Sequence, residues 1–159
     1  MDDTMKPLTD VMNTLLGEHG CPWDKAQTHE SLRKNLLEEA HEVVEAIDSH
    51  DMDHLKEELG DVLLQVVFHA KLAEQEGAFN LQDVVEAVAA KMIRRHPHIF
   101  ADGKADDAET VLTNWEEIKK QEKAGQPEAQ SIMSKLPPTL PALMQAEKVQ
   151  QKAHRVGFD

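Results

Sequence analysis

Hydrophobic residues recur along this chain at intervals of three and four, the spacing of one helical face. Nowhere do they alternate strictly, as in a half-buried strand. Leu8, Val11, Met12 and Leu15 predict a first amphipathic helix from about Met5 to Leu16. Gly17, Gly20 and Pro22 break it into a loop, GEHGCPWDKAQ. Thr28 suits the N-cap of a long helix from about His29 to Asp48. After the turn SHDMD, a second long helix runs from about Met52 to Glu76, and Gly77 ends it. Asn80 caps a helix from Leu81 to about Arg95, which Pro97 stops. Beyond the polar loop ADGKADD, a helix from about Ala108 to Ala124 meets Gly125 at its C′ position. Residues 126–141 hold four of the seven prolines and read as a linker before a short last helix, about Ala142 to Ala153. The expected class is all-α: an antiparallel helical bundle built around the long two-helix hairpin.

Composition narrows the function. The 159 residues are 40% hydrophobic, enough for one domain with a sizeable core. Lys and Arg number 17 against 30 Asp and Glu, a net charge of −13, which argues against nucleic acid or an anionic membrane surface as the main partner. The lone Cys21 allows neither an internal disulfide nor a cysteine-based zinc site. No apolar run approaches the roughly 18 residues of a membrane span. The opening MDDTMKPLTD lacks the basic, apolar and small-residue succession of a signal peptide. A cytoplasmic setting is expected.

The candidate chemistry lies in the two long helices, as Glu38-Glu39-Ala40-His41-Glu42 and Glu58-Leu59-Gly60-Asp61. As a bare string this is weak, since an acidic chain yields about one such match by chance. Helix geometry is more telling. With Leu36 at the origin of a 100° wheel, Leu37, Ala40, Val43, Val44 and Ile47 form one apolar arc; Glu39 falls at about 300° and Glu42 at about 240°. With Leu55 at the origin, Leu59, Val62, Leu63, Val66, Val67 and Ala70 form the matching arc, and Glu58 and Asp61 fall at about the same two angles. If the helices fold back about His50, Glu39 stands level with Asp61 and Glu42 with Glu58, about 12 Å from the turn. Four converging carboxylates repel one another beside a core, and a hard divalent cation, Mg²⁺ before others, would offset that. The competing reading is a solvated acidic flank. Glu38 falls at about 200°, off this flank, and reads as a solvated acid.

The few basic residues are informative by their placement. Lys91 and Arg95 share one helix face, as do Trp115 and Lys119 on the next helix. A cationic pair, a flat ring and a further lysine suit a ligand with phosphates and a base; the plainer alternatives are a core tryptophan and surface ion pairs.

The blocks GCPWDKAQTHESL, LLEEAHEVVEAI, LKEELGDVLLQVVFHA, KMIRRHPHIF and NWEEIKKQEK together resemble, in order and over nearly the whole chain, the MazG nucleoside triphosphate pyrophosphohydrolases. The resemblance implies an all-α enzyme that hydrolyses an NTP or dNTP to the nucleoside monophosphate and pyrophosphate, with Mg²⁺, or Mn²⁺ as a substitute. It implies that Glu39, Glu42, Glu58 and Asp61 bind the metal and carry catalysis. Lys91, Arg95, Trp115 and Lys119 correspond to its phosphate- and base-contacting positions. It further implies a homodimer with the site near the interface, and a catalytic module over residues 1–125. The segment 140–159 echoes the start: Leu140, Leu143 and Met144 match Leu8, Val11 and Met12, and Phe158-Asp159 matches Trp23-Asp24. It reads as the opening of a truncated second module.

Two other classes are weaker. Glu38-x-x-His41 is half of a ferritin-like di-iron motif, but no second Glu-x-x-His exists. A non-catalytic helical interaction module, a degenerate copy beside an active one, is opposed by the intact carboxylates. Gly60, inside a helix, costs about 1 kcal/mol against Ala, for which close approach of a partner helix or ligand would compensate.

Overall fold

A computed structural model describes residues 4–105, 107–122, 136–154 and 157–158. The helices are α1 (Lys6–Leu15), α2 (Pro22–Lys25), α3 (Arg33–Asp48), α4 (Met52–Gln75), α5 (Leu81–Arg95), α6 (Pro97–Phe100), α7 (Ala108–Glu122) and α8 (Ala142–His154). Among the described residues there is no strand, and the all-α expectation holds. Most of the expected linker, residues 126–135, and Gly125 lie outside the described residues. The chain forms two compact units, Met1–Arg94 and Arg95–Asp159.

Two elements arise where the sequence suggested only loops. Pro22 and Pro97 each stand at the first position of a short helix, α2 and α6. A proline that cannot continue one helix is well suited to start another, because its missing N–H would have no intrahelical partner there. Thr28 caps a separate turn instead of α3: it exchanges hydrogen bonds with Ser31, at 2.9 Å and 3.2 Å. Leu32 closes that turn and is anchored in the core, 2% exposed, so α3 begins at Arg33.

The hairpin of α3 and α4 is the centre of the first unit. His50, at φ 57°, reverses the chain after α3. Asp51 then caps α4, its side chain accepting the backbone N–H groups of Asp53 and His54 at 3.0 Å each. At the far end Gly77, at φ 72°, supplies the left-handed residue that stops α4. Asn80 and Asp83 bond reciprocally, at 2.9 Å and 3.1 Å, to open α5 as expected.

The core lies away from the hairpin turn. Met12 and Leu16 of the α1 region, Leu32, and Val67, Phe68 and Leu72 of α4 pack into one buried cluster, edged by Leu8, Leu64 and Leu81. His29 is pinned to α4 beside them: its Nδ1 is 2.8 Å from Nδ1 of His69, and the rings are nearly parallel. Burial, then the neighbouring His29, lowers the His69 pKa. Nearer the turn the apolar arcs are largely uncovered: Leu37, Val44, Ile47 and Leu59 are all exposed within this chain. A Cβ on Gly60 would touch nothing within 4 Å, so the close approach expected there is absent among the described residues.

Candidate functional site

Because α3 and α4 are antiparallel, the exposed flank of one faces that of the other. Glu39, Glu58 and Asp61 each present a carboxylate oxygen, and these lie within 4.8 Å of one another. Glu42 joins them. Burial raises the Glu58 pKa most, followed by the charge of the nearby Glu42. Burial is also the first cause of the raised Glu39 pKa, followed by Asp61 and then Glu42. Asp61 is thus the foremost charge acting on Glu39, and Glu42 on Glu58, the pairing that the hairpin register requires.

Glu58 is the innermost member, 7% exposed. Its Oε1 lies 3.1 Å from Nε2 of His54, one helical turn earlier, an ion pair when the imidazole is protonated. Its Oε2 is buried and no donor reaches it. An anionic oxygen removed from water without a partner is costly, and a cation among the four carboxylates would supply that partner. The donors are all carboxylate oxygens, the set a hard divalent cation prefers. The residues therefore fit such an ion.

Other acids of α3 do not join the cluster. Glu38 pairs with Lys34 at 2.9 Å, and Glu45 is exposed. A shallow depression lined by Asn13, Leu16, Gly17, Lys71, Glu74 and Gln75 contains none of the eight residues singled out from the sequence.

Within the second unit, the Arg95 guanidinium lies over the Trp115 ring, 5.1 Å from its centroid. It also donates from Nη2 and Nε to Oε2 of Glu122, at 2.7 Å and 3.2 Å. The His96 ring meets Trp115 edge-on, with centroids 4.9 Å apart. Lys119 pairs with Glu116 at 2.9 Å. Lys91, on α5, is half-buried and forms no ion pair among the described residues. Glu122 was not singled out from the sequence and has no local signal, since it is 27 residues from the arginine it holds. His54 was likewise missed as a partner of Glu58, although its i,i+4 spacing was visible.

Residues 27–100 match the family model described as the MazG nucleotide pyrophosphohydrolase domain. A solved mazG-related protein from Thermotoga maritima superposes with a TM-score of 0.62 at 30% identity, covering 72% of this chain and 98% of that one. The chain belongs to the MazG family. It is 48% identical over 142 residues to an Escherichia coli (strain K12) protein named nucleoside triphosphate pyrophosphohydrolase, covering 89% of this chain and 54% of that protein. It is 47% identical over 152 residues to a Thermotoga maritima protein named nucleoside triphosphate pyrophosphohydrolase/pyrophosphatase MazG, covering 96% of this chain and 57% of that one. This MazG chain thus spans a little over half the length of these two curated relatives. In it, Glu39, Glu42, Glu58 and Asp61 all lie inside the matched segment, as do Lys91 and Arg95; Trp115 and Lys119 lie beyond it.

Proposed function

We propose that this chain hydrolyses nucleoside triphosphates to the monophosphate and pyrophosphate in the presence of Mg²⁺, as a cytoplasmic enzyme acting on the nucleotide pool. One observation carries the reading: the carboxylates of Glu39 and Asp61 meet that of Glu58, whose buried Oε2 has no hydrogen-bond partner, in a chain of the MazG family. Glu39, Glu42, Glu58 and Asp61 would hold the cation. When bound, it supplies neutralisation of polyphosphate charge and acidifies a water molecule.

The protein's own share is to hold the four acids ready. The hairpin fixes their levels, and a cation would offset the burial and like charge that raise the pKa of Glu58 and Glu39. For Arg95, Trp115 and Lys119 we propose base and phosphate contacts, and for Lys91 a phosphate contact. These roles rest on the family resemblance and, for the first two, on the cation–ring stack. Engaging a phosphate requires Arg95 to exchange Glu122, and Lys119 to exchange Glu116, for the ligand.

We also propose a homodimer. Leu59, Leu63 and Val66 on α4, and Val85, Val88 and Met92 on α5, are all exposed within the single chain, at helical spacing. An apolar face of that extent suits an obligate helical interface. Light scattering over a hundredfold dilution should show the dimer mass; an 18 kDa species throughout would reject it.

The deciding experiment is incubation with a panel of NTPs and dNTPs plus Mg²⁺, with the products separated by chromatography. Monophosphate with pyrophosphate is the expected outcome. Diphosphate with free phosphate, or no turnover of any nucleotide, would reject the proposal.

A further inference from the structure

We propose that Gln65 is a positioning residue of the carboxylate site: its buried Oε1 accepts a hydrogen bond from a water molecule held by the bound cation. The proposal deepens the metal-site reading above and rests on it.

Gln65 is 6% exposed, and its Oε1 is buried with no hydrogen-bond partner among the described residues. A buried amide oxygen without a donor is costly, because the hydrogen bonds it made to water are not replaced. The other such oxygen on α4 is Oε2 of Glu58. Two orphaned acceptors two turns apart on one helix suggest one missing occupant.

The place of Gln65 in the hairpin says what that occupant is. Along α4, Glu58, Asp61, Gln65, Phe68 and Leu72 follow at steps of three and four, forming one stripe. Opposite them, Glu42, Glu39, Asn35 and Leu32 follow at the same steps. Counted from the turn, the two stripes match level by level. Glu42 acts on Glu58, and Asp61 on Glu39, at the two levels nearer the turn. At the far level Leu32 and Phe68 share the buried core. Asn35, half-buried, and Gln65 hold the level between. An amide layer thus divides the charged half of the stripe from the apolar half.

The chemistry of the layer is selective. Phosphate oxygens have no proton to give, so Oε1 is not a phosphate contact. Mg²⁺ keeps several of its waters, and each has O–H groups to donate. One turn, about 6 Å along the axis, separates Gln65 from Asp61. A metal–oxygen bond of about 2.1 Å and a hydrogen bond of about 2.8 Å together nearly span it. An amide accepts that bond without adding a fifth negative charge to the site. Such outer contacts orient the groups around a metal, and their loss typically weakens binding 10- to 100-fold.

The test is Mn²⁺ binding to the full chain without nucleotide, read from the electron paramagnetic resonance signal of the free ion. Four proteins are compared: the parent, Gln65→Met, Gln65→Leu and Glu58→Gln, each also melted without cation. Gln65→Met keeps the length of the side chain and removes the acceptor; Gln65→Leu removes it with a different shape. Both should raise the Mn²⁺ dissociation constant by about 10- to 100-fold. Both should melt, without cation, at or above the parent, because the orphaned oxygen is gone. A purely structural glutamine would shift the melting temperature and leave Mn²⁺ affinity alone. If Glu58→Gln weakens binding but both Gln65 variants stay within twofold of the parent, the positioning role is overturned. It is equally overturned if both Gln65 variants melt below the parent, since the amide would then be held by the chain itself. If Glu58→Gln binds like the parent, the carboxylate site is wrong, and the proposal falls with it.

Discussion

Removing one charge from the carboxylate cluster should stabilise the chain without a cation and destabilise it, relative to the parent, with one. Take Asp61→Asn. The oxygens of Asp61 and Glu39 lie within 4.8 Å, where two like charges repel by about 1 kcal/mol in water-like surroundings. Both residues are partly exposed, so that screened value is the appropriate one. For a chain of this size about 1 kcal/mol moves the melting temperature by about 2–4 °C, so apo Asp61→Asn should melt higher by that much. Mg²⁺ acts on the parent by mass action. At a hundred times its dissociation constant it adds about 2.7 kcal/mol, or roughly 5–10 °C. If the asparagine weakens binding a hundredfold, the same Mg²⁺ adds only about 0.4 kcal/mol, roughly 1 °C. The two melting curves should therefore exchange order on adding Mg²⁺, at one fixed protein concentration. An apo variant that melts below the parent would refute the repulsion. An undiminished Mg²⁺ increment would refute the role of Asp61 as a ligand.

Three further outcomes follow from the same geometry. Glu42→Gln should abolish Mg²⁺-dependent turnover with helix content retained, while Glu45→Gln, which alters an exposed acid outside the cluster, should keep near-parental rates in the same assay. Leu32→Ala, at a position 2% exposed in the core, should cost about 3 kcal/mol, read as a lowered urea midpoint; a loss under about 1 kcal/mol would mean the turn before α3 is not anchored there. Glu39 and Glu58 titrate above their ordinary 4.5, so the folded chain takes up their protons before the unfolded chain does. Apo stability should then rise as pH falls from 7 towards 4.5, and be lost as pH rises through their folded values. Cation affinity should fall over the same descent; Glu39→Gln should flatten the stability profile, and an unchanged slope would sink the assignment.

What could be read from the sequence follows the range of the forces involved. The helical period, the Asn80 cap and the Gly77 stop are local, and each appears where the pattern put it. The pairing of Glu39 with Asp61 and of Glu42 with Glu58 is not local, but a tight turn makes it so by counting back from His50. The Arg95–Glu122 contact has no such shortcut, because α6 and the loop after it intervene. The His54–Glu58 contact was missed for a different reason. Its spacing is in the sequence, but Lys34–Glu38 and Lys6–Asp10 have the same spacing and are solvated surface pairs. Only the burial of Glu58 separates the first from the others, and burial cannot be counted off a string.

The placement of the core also explains how the chain carries a repulsive cluster. The buried residues Leu32, Val67, Phe68 and Leu72, with Met12 and Leu16, bind the open end of the hairpin. The carboxylates stand nearer the turn, about 10 Å closer along the axis than Leu32 and Phe68. There Ala46 is the one buried apolar side chain of α3, and most of the apolar arc is exposed. Anchoring and charge are thus separated along one pair of helices: the far end supplies the stability that lets the near end hold Glu39, Glu42, Glu58 and Asp61 together. Moving the cluster two turns towards Phe68 would place four anions inside the core, where neither water nor an entering cation could reach them. The pattern in the sequence shows both stripes running the length of the hairpin. It is the arrival of α1 at one end only that divides the hairpin into an anchored half and an open one.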